Sequence, residues 1–136
     1  MKPEAVLETV LYASDLDEAE RFYTDILGLV TFSRGGDRHV FFRCGEQMIL
    51  IFNPEQTVKP TASERPSPPP HGSLGEGHLC FRANREQIDQ WYDHLVACGI
   101  EIESDFQWPG GGRSIYFRDP AGNSLEFAEP QIWGIN

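Results

Sequence analysis

Glu8, His78 and Glu126 are the residues of this 136-residue chain whose types and placement could do metal chemistry. Each lies in a segment rich in strand formers: Val6–Tyr12, Gly77–Arg82 and Ser124–Ala128. One imidazole and two carboxylates form a donor set that divalent cations accept, and three protein ligands leave positions open for water or substrate. A cation so held is a Lewis acid, and a carboxylate beside it can move a proton. Taken singly, each residue also has a structural reading: Glu8 as a solvent-facing strand residue, His78 as a hydrogen-bonded structural histidine, Glu126 as a surface acid on an edge strand.

An internal repeat links the first two. After Val6–Tyr12, Ser14-Asp15 followed by Glu18 signals a helix start. Ala19, Phe22, Tyr23, Ile26 and Leu27 then recur at helical spacing, and Gly28 supplies the stop. Strands are expected at Val30–Ser33, His39–Arg43 and Met48–Asn53. The second half repeats the order. Asn84 is an N-cap with Gln87 three residues on, Ile88, Trp91, Tyr92, Leu95 and Val96 make the apolar face, and Gly99 ends the helix. Strands are expected at Ile100–Ser104, Ser114–Arg118 and Ser124–Ala128. Aligning Ser14 with Asn84 sets Glu8 opposite His78. Strand alternation puts Glu8, Val10 and Tyr12 on one face, and His78, Cys80 and Arg82 on the matching face.

The fold class expected is α+β, a single domain over residues 1–136 with modules at 5–54 and 74–130. Between them, the linker at 55–73 carries the run Arg65–Pro70, which reads as an extended connector. A formal net charge of -10 argues against nucleic-acid and anionic-membrane partners, because phosphate binding depends on clustered Lys and Arg. The longest strongly apolar run, Met48–Phe52, is too short to span a bilayer. Cys44, Cys80 and Cys98 form no C-x-x-C motif, and with no signal sequence they read as free thiols of a cytoplasmic protein.

Three further residues are candidates for substrate contact. Arg113 follows the glycine-rich turn in WPGGGRSIYF and reads either as an anion contact or as an exposed hairpin arginine. Arg82 and Tyr12 are placed by strand parity alone. The glycines are not a phosphate loop, because a strand follows them rather than a helix.

FYTDILGL after SDLDEAE, GHLCFRA, and YFRDPAGNSLEF together resemble the vicinal oxygen chelate superfamily of glyoxalases, bleomycin-resistance proteins and extradiol dioxygenases. The resemblance covers roughly Leu7 to Glu129. It implies paired βαβββ modules with curled mixed or antiparallel sheets around a cavity, a small-molecule substrate and a homodimer. It also implies metal ligands in the first strand of each module and the last strand of the second, the positions of Glu8, His78 and Glu126. A fourth ligand found in some members has no counterpart in the apolar Met48–Phe52 stretch. Glu at position 8, where metal-binding members usually carry His or Gln, makes the site harder and more anionic. It favours Mn²⁺ or Fe²⁺, with Zn²⁺ and Ni²⁺ also in range. The activity implied is a metal-dependent lyase or isomerase of the glyoxalase type on a small oxygenated substrate, with Glu126 or Glu8 as the catalytic residue doubling as ligand and base. The alternatives are a metal-free binding protein of the bleomycin-resistance type and an extradiol-type dioxygenase.

Overall fold

The computed structural model describes residues 1–60 and 68–136. It divides into two compact units, Met1–Gly75 and Glu76–Asn136. Each is a strand, a helix and three strands, so the α+β class and the paired βαβββ modules expected from the repeat are present.

In the first unit, β1 (Glu8–Tyr12) leads into α1 (Leu16–Arg21), then β2 (Val30–Gly35), β3 (His39–Cys44), β4 (Gln47–Phe52) and the short α2 (Pro54–Thr57). The sheet order is β1-β4-β3-β2, with β1 parallel to β4 and the other pairs antiparallel. Asp15 caps α1 by accepting from the Glu18 N–H at 3.0 Å. The helix then widens into a π turn over Phe22–Ile26, where the Leu27 N–H reaches back five residues to the Phe22 carbonyl. Its apolar side buries Leu16, Ala19, Phe22 and Tyr23, and Tyr23 stacks on Phe42 of β3 at 5.3 Å. Burying each such ring contributes roughly 2 kcal/mol. That sheet face carries Leu11, Val40, Phe42, Ile49 and Ile51, all buried. The alternate residues Glu8, Tyr12, His39, Phe41 and Phe52 therefore project to the other face.

In the second unit, β5 (His78–Arg82) is followed by α3 (Arg85–Ala97), β6 (Ser104–Gln107), β7 (Arg113–Arg118), β8 (Ser124–Ala128) and a 3₁₀ turn at Pro130–Trp133. The order β5-β8-β7-β6 reproduces the first sheet, with β5 parallel to β8. Asn84 and Gln87 form a reciprocal capping box on α3. Ile88 and Leu95 are buried, and Trp91 stacks on Phe127 of β8 at 4.5 Å. Asn84→Ala should lower stability by about 1 kcal/mol, read as a lower urea midpoint. A midpoint equal to that of the parent protein would show that the box contributes nothing.

Strand ends shift by one or two residues from the sequence expectation, and two segments differ more. The strand expected at Ile100–Ser104 instead runs over Ser104–Gln107. The Ile100 N–H is still closing the helix end on the Leu95 carbonyl at 2.9 Å, and pairing starts only where the Glu103 N–H meets the Tyr116 carbonyl. Residues 54–57 are helical rather than plain connector, because Asn53 caps the turn on the Glu55 N–H and Pro54 presets its first residue. Thr61 to Ser67, which include Arg65, Pro66 and Ser67 of the proline run, lie outside the described residues. No helix among the described residues is long and apolar enough to cross a membrane.

Candidate functional site

Register alone sets side chains next to one another in the second sheet. His78 pairs with Ser124, and Ser124 with Arg118; Cys80 pairs with Glu126, and Glu126 with Tyr116. Leu125 and Phe127 are buried on the helix side, so Glu126 projects to the opposite face. There it is still covered, its side chain only 6% exposed.

His78 Nε2 lies 3.2 Å from Glu126 Oε2. His78 Nδ1 lies 3.0 Å from the Ser124 carbonyl. A carbonyl only accepts, so Nδ1 carries a proton and donates it there. In the neutral ring Nε2 is then a lone pair aimed at a carboxylate oxygen. Two acceptors at that separation repel unless a proton or a cation lies between them. Glu126 Oε1 is buried with no hydrogen-bond partner among the described residues. The donor set therefore fits a cation: an oriented imidazole nitrogen, one carboxylate oxygen facing it, and a second oxygen unsatisfied. The separation also suits two neighbouring ligands of one ion, which stand about 3.0–3.4 Å apart when each metal bond is about 2.1 Å.

Cys80 and Tyr116 flank this carboxylate. Burial pushes the Cys80 thiol up to about 12, and the Glu126 charge adds to the shift. Burial and then Glu126 likewise push the Tyr116 phenol up to about 12. Both stay protonated near neutrality, and the Cys80 S–H bonds the Phe81 carbonyl at 3.7 Å. Further along the same strands, Cys80, Arg82, Ile132, Trp133 and Ile135 line a cleft of about 220 Å³. Arg82 reaches its edge with the guanidinium donating to the Asn136 carbonyl.

The remaining candidates are placed as follows. Glu8 stands exposed at the head of β1, beside Met48 in register. Among the described residues no group of three His, Cys, Asp or Glu side chains is arranged to hold an ion; of the three candidate ligands, His78 and Glu126 face each other. The Tyr12 hydroxyl lies 2.7 Å from His71 Nδ1, and Phe52 packs edge-on to the same imidazole at 4.6 Å. Arg113 is only 15% exposed and binds Asp105 through two nitrogens at 2.8 and 2.9 Å. It also pairs with Asp89 of α3.

Arg113 holds the Asp105 carboxyl below its ordinary value of 3.8. A depressed carboxyl adds stability above that value and loses it as pH falls through the lower folded one. Asp105 is about one-third exposed, which keeps the contribution small. Arg113→Gln should therefore cost about 1 kcal/mol at neutral pH, and the gap in urea midpoint should narrow below about pH 4. A gap that is constant with pH would rule out the pairing as its cause.

Sequence reasoning missed the device that holds His78 in place. Asn123, 1% exposed, accepts from the Gly77 N–H at 2.7 Å and donates to Asp119 Oδ2 at 2.9 Å. Its own N–H bonds Asp119 Oδ1 at 2.9 Å. The Asp119–Asn123 turn thereby ties the residue before His78 to the residue before Ser124. The D-P-A-G-N string signals a turn, but nothing local shows that its side chains reach a strand 46 residues away.

A strand–helix–three-strand unit occurs twice, and the second carries an imidazole and a carboxylate on adjacent strands of one sheet face. Residues 5–127 match the Glyoxalase/Bleomycin resistance protein/Dioxygenase superfamily, and the chain belongs to it. It is 33% identical over 126 residues to virulence protein STM3117 of Salmonella typhimurium, covering 88% of this chain and 80% of that protein. It is 25% identical over 128 residues to metallothiol transferase FosB of Lysinibacillus sphaericus, covering 93% and 83%. Among solved structures, a lactoylglutathione lyase from Agrobacterium tumefaciens superposes with a TM-score of 0.93 at 43% identity, over 99% of this chain and 100% of that one.

Proposed function

We propose that this protein is a divalent-metal-dependent lyase or isomerase of the glyoxalase type, acting on a small oxygenated molecule. The observation that carries the reading is the His78–Glu126 pair, two acceptors face to face with one carboxylate oxygen left without a partner. The likeness to a lactoylglutathione lyase at 43% identity supports it and makes lactoylglutathione the first substrate to assay.

In this reading His78 Nε2 and Glu126 hold the cation. Glu8, equivalent to His78 in the repeat, is the corresponding candidate in the first unit. A bound divalent ion supplies Lewis acidity to neighbouring substrate oxygens. The Ser124 carbonyl fixes the His78 tautomer and ring direction. Glu126 takes and returns a proton at carbon in this reading, a role supported by its burial beside the His78 imidazole. Tyr116, held protonated, donates toward negative charge developing on a substrate oxygen. Arg82 supplies positive charge at the rim of the cleft for an anionic substrate.

The test uses protein purified without chelator. Elemental analysis should find a divalent metal near one equivalent, and chelation should remove lactoylglutathione turnover that the metal restores. Metal-free protein with no affinity for Mn²⁺, Fe²⁺, Zn²⁺ or Ni²⁺ would overturn the proposal. A second reading, ligand sequestration without chemistry, is favoured by the ring cluster of Tyr12, Phe41, Phe52 and His71 on the first sheet. Tight ligand binding by chelated protein that is unchanged in His78→Ala would select it.

A further inference from the structure

We infer that His94 and Cys98 form a second cation site, a two-ligand chelate for a borderline-to-soft ion of the Zn²⁺ class at the C-terminal end of α3. The two residues stand one helical turn apart, so both side chains rise from the same stripe of the helix. The turn between them is intact, the Cys98 N–H bonding the His94 carbonyl at 2.9 Å.

The side chains meet: Cys98 Sγ lies 3.7 Å from His94 Nε2. Two ligands of a tetrahedral ion, with a metal–nitrogen bond of about 2.0 Å and a metal–sulfur bond of about 2.3 Å, stand about 3.5 Å apart. The pair is thus close to chelating geometry without a rotamer change. Both residues are exposed, so an ion reaches them directly and water or an external thiol can fill its other positions. The end of the helix favours positive charge, because the last carbonyls point there. One imidazole and one thiolate select Zn²⁺, Cd²⁺ or Cu⁺ over the hard ions that the carboxylate-bearing face prefers.

The site is separate from the one proposed above. Trp91, which packs edge-on to His94 at 5.5 Å, stacks on Phe127. Phe127 and Glu126 are consecutive strand residues and point to opposite faces of the sheet. An ion on His94 and Cys98 therefore sits on the helix side and does not compete for His78 or Glu126.

Co²⁺ titrated into the full-length, fully reduced protein tests the inference. Thiolate-to-cobalt charge-transfer absorption should appear and saturate, while Co²⁺ taken by the His78–Glu126 face adds no thiolate band. It should vanish in Cys98→Ser and need about a hundredfold more Co²⁺ in His94→Ala, which loses the advantage of two linked donors. Its amplitude at saturation should be unchanged in Cys80→Ser and in His78→Ala. Three outcomes would overturn the inference: no charge-transfer band at saturating Co²⁺, a band that survives Cys98→Ser, or a band that disappears in Cys80→Ser. Circular dichroism of the variants checks that each is folded, and substitution at exposed helix-end positions leaves the packed face of α3 intact.

Discussion

Glu126→Gln should lower divalent-cation affinity by about a hundredfold and cut metal-dependent turnover by about a thousandfold or more. The substitution keeps shape and removes the charge that faces His78 Nε2. It also replaces the partnerless buried oxygen with a neutral amide. A buried carboxylate with an unsatisfied oxygen costs stability. The metal-free variant should therefore be as stable as its parent or more so, judged by urea midpoint. This combination separates a binding site from a structural ion pair. Breaking a buried pair that exists for stability would cost about 3–5 kcal/mol and leave cation affinity alone. That result, or unaltered affinity measured by competition with a chelating dye, would sink the assignment of Glu126 as a ligand.

Asn123→Ala should destabilise the second unit by about 2–4 kcal/mol. Alanine leaves the Gly77 N–H without its acceptor and removes a donor from buried Asp119. Both ends of the lost contacts lie next to the site. Gly77 precedes His78, and Ser124, whose carbonyl orients the imidazole, follows Asn123. The variant should accordingly lose cation affinity out of proportion to its loss of folded fraction, with His78 poorly aimed in the molecules that remain folded. Affinity equal to that of the parent, measured well below the unfolding midpoint, would show that the turn stabilises without positioning.

Much of this architecture is legible in the residues because two periodicities alternate along the chain. Phe22, Tyr23 and Leu27 in one module, and Ile88, Trp91 and Leu95 in the other, keep helical spacing, and glycines at positive φ, Gly28 and Gly99, follow them. The alternation of Leu125, Glu126 and Phe127 is enough to send the carboxylate to the face opposite the helix. Contacts that depend on distant partners are invisible to such patterns. Tyr12 and His71 are 59 residues apart, and neither ring carries a local sign that the other will meet it. The glycine-rich turn before Arg113 suggests an exposed arginine, but the guanidinium is taken by Asp105 on the neighbouring strand and Asp89 on the helix. The π turn is equally hidden. Thr24 places its hydroxyl on the Glu20 carbonyl at 2.8 Å, and that competition for a backbone acceptor depends on rotamer rather than residue type.

The parallel pairing of β1 with β4 and of β5 with β8 also bears on how the chain folds. Each module's opening strand must wait for its closing strand, while the hairpins β2–β3–β4 and β6–β7–β8 zip from neighbours. The late step in each half is thus a long-range closure, which is slow compared with hairpin formation. During synthesis the first half can close once Phe52 has emerged, before any of the second half exists. The imidazole and carboxylate of the second half belong to strands that meet last. An assembly intermediate with its hairpins formed still lacks the His78–Glu126 pair, so capture of a cation by that pair would report completion of the fold rather than its beginning.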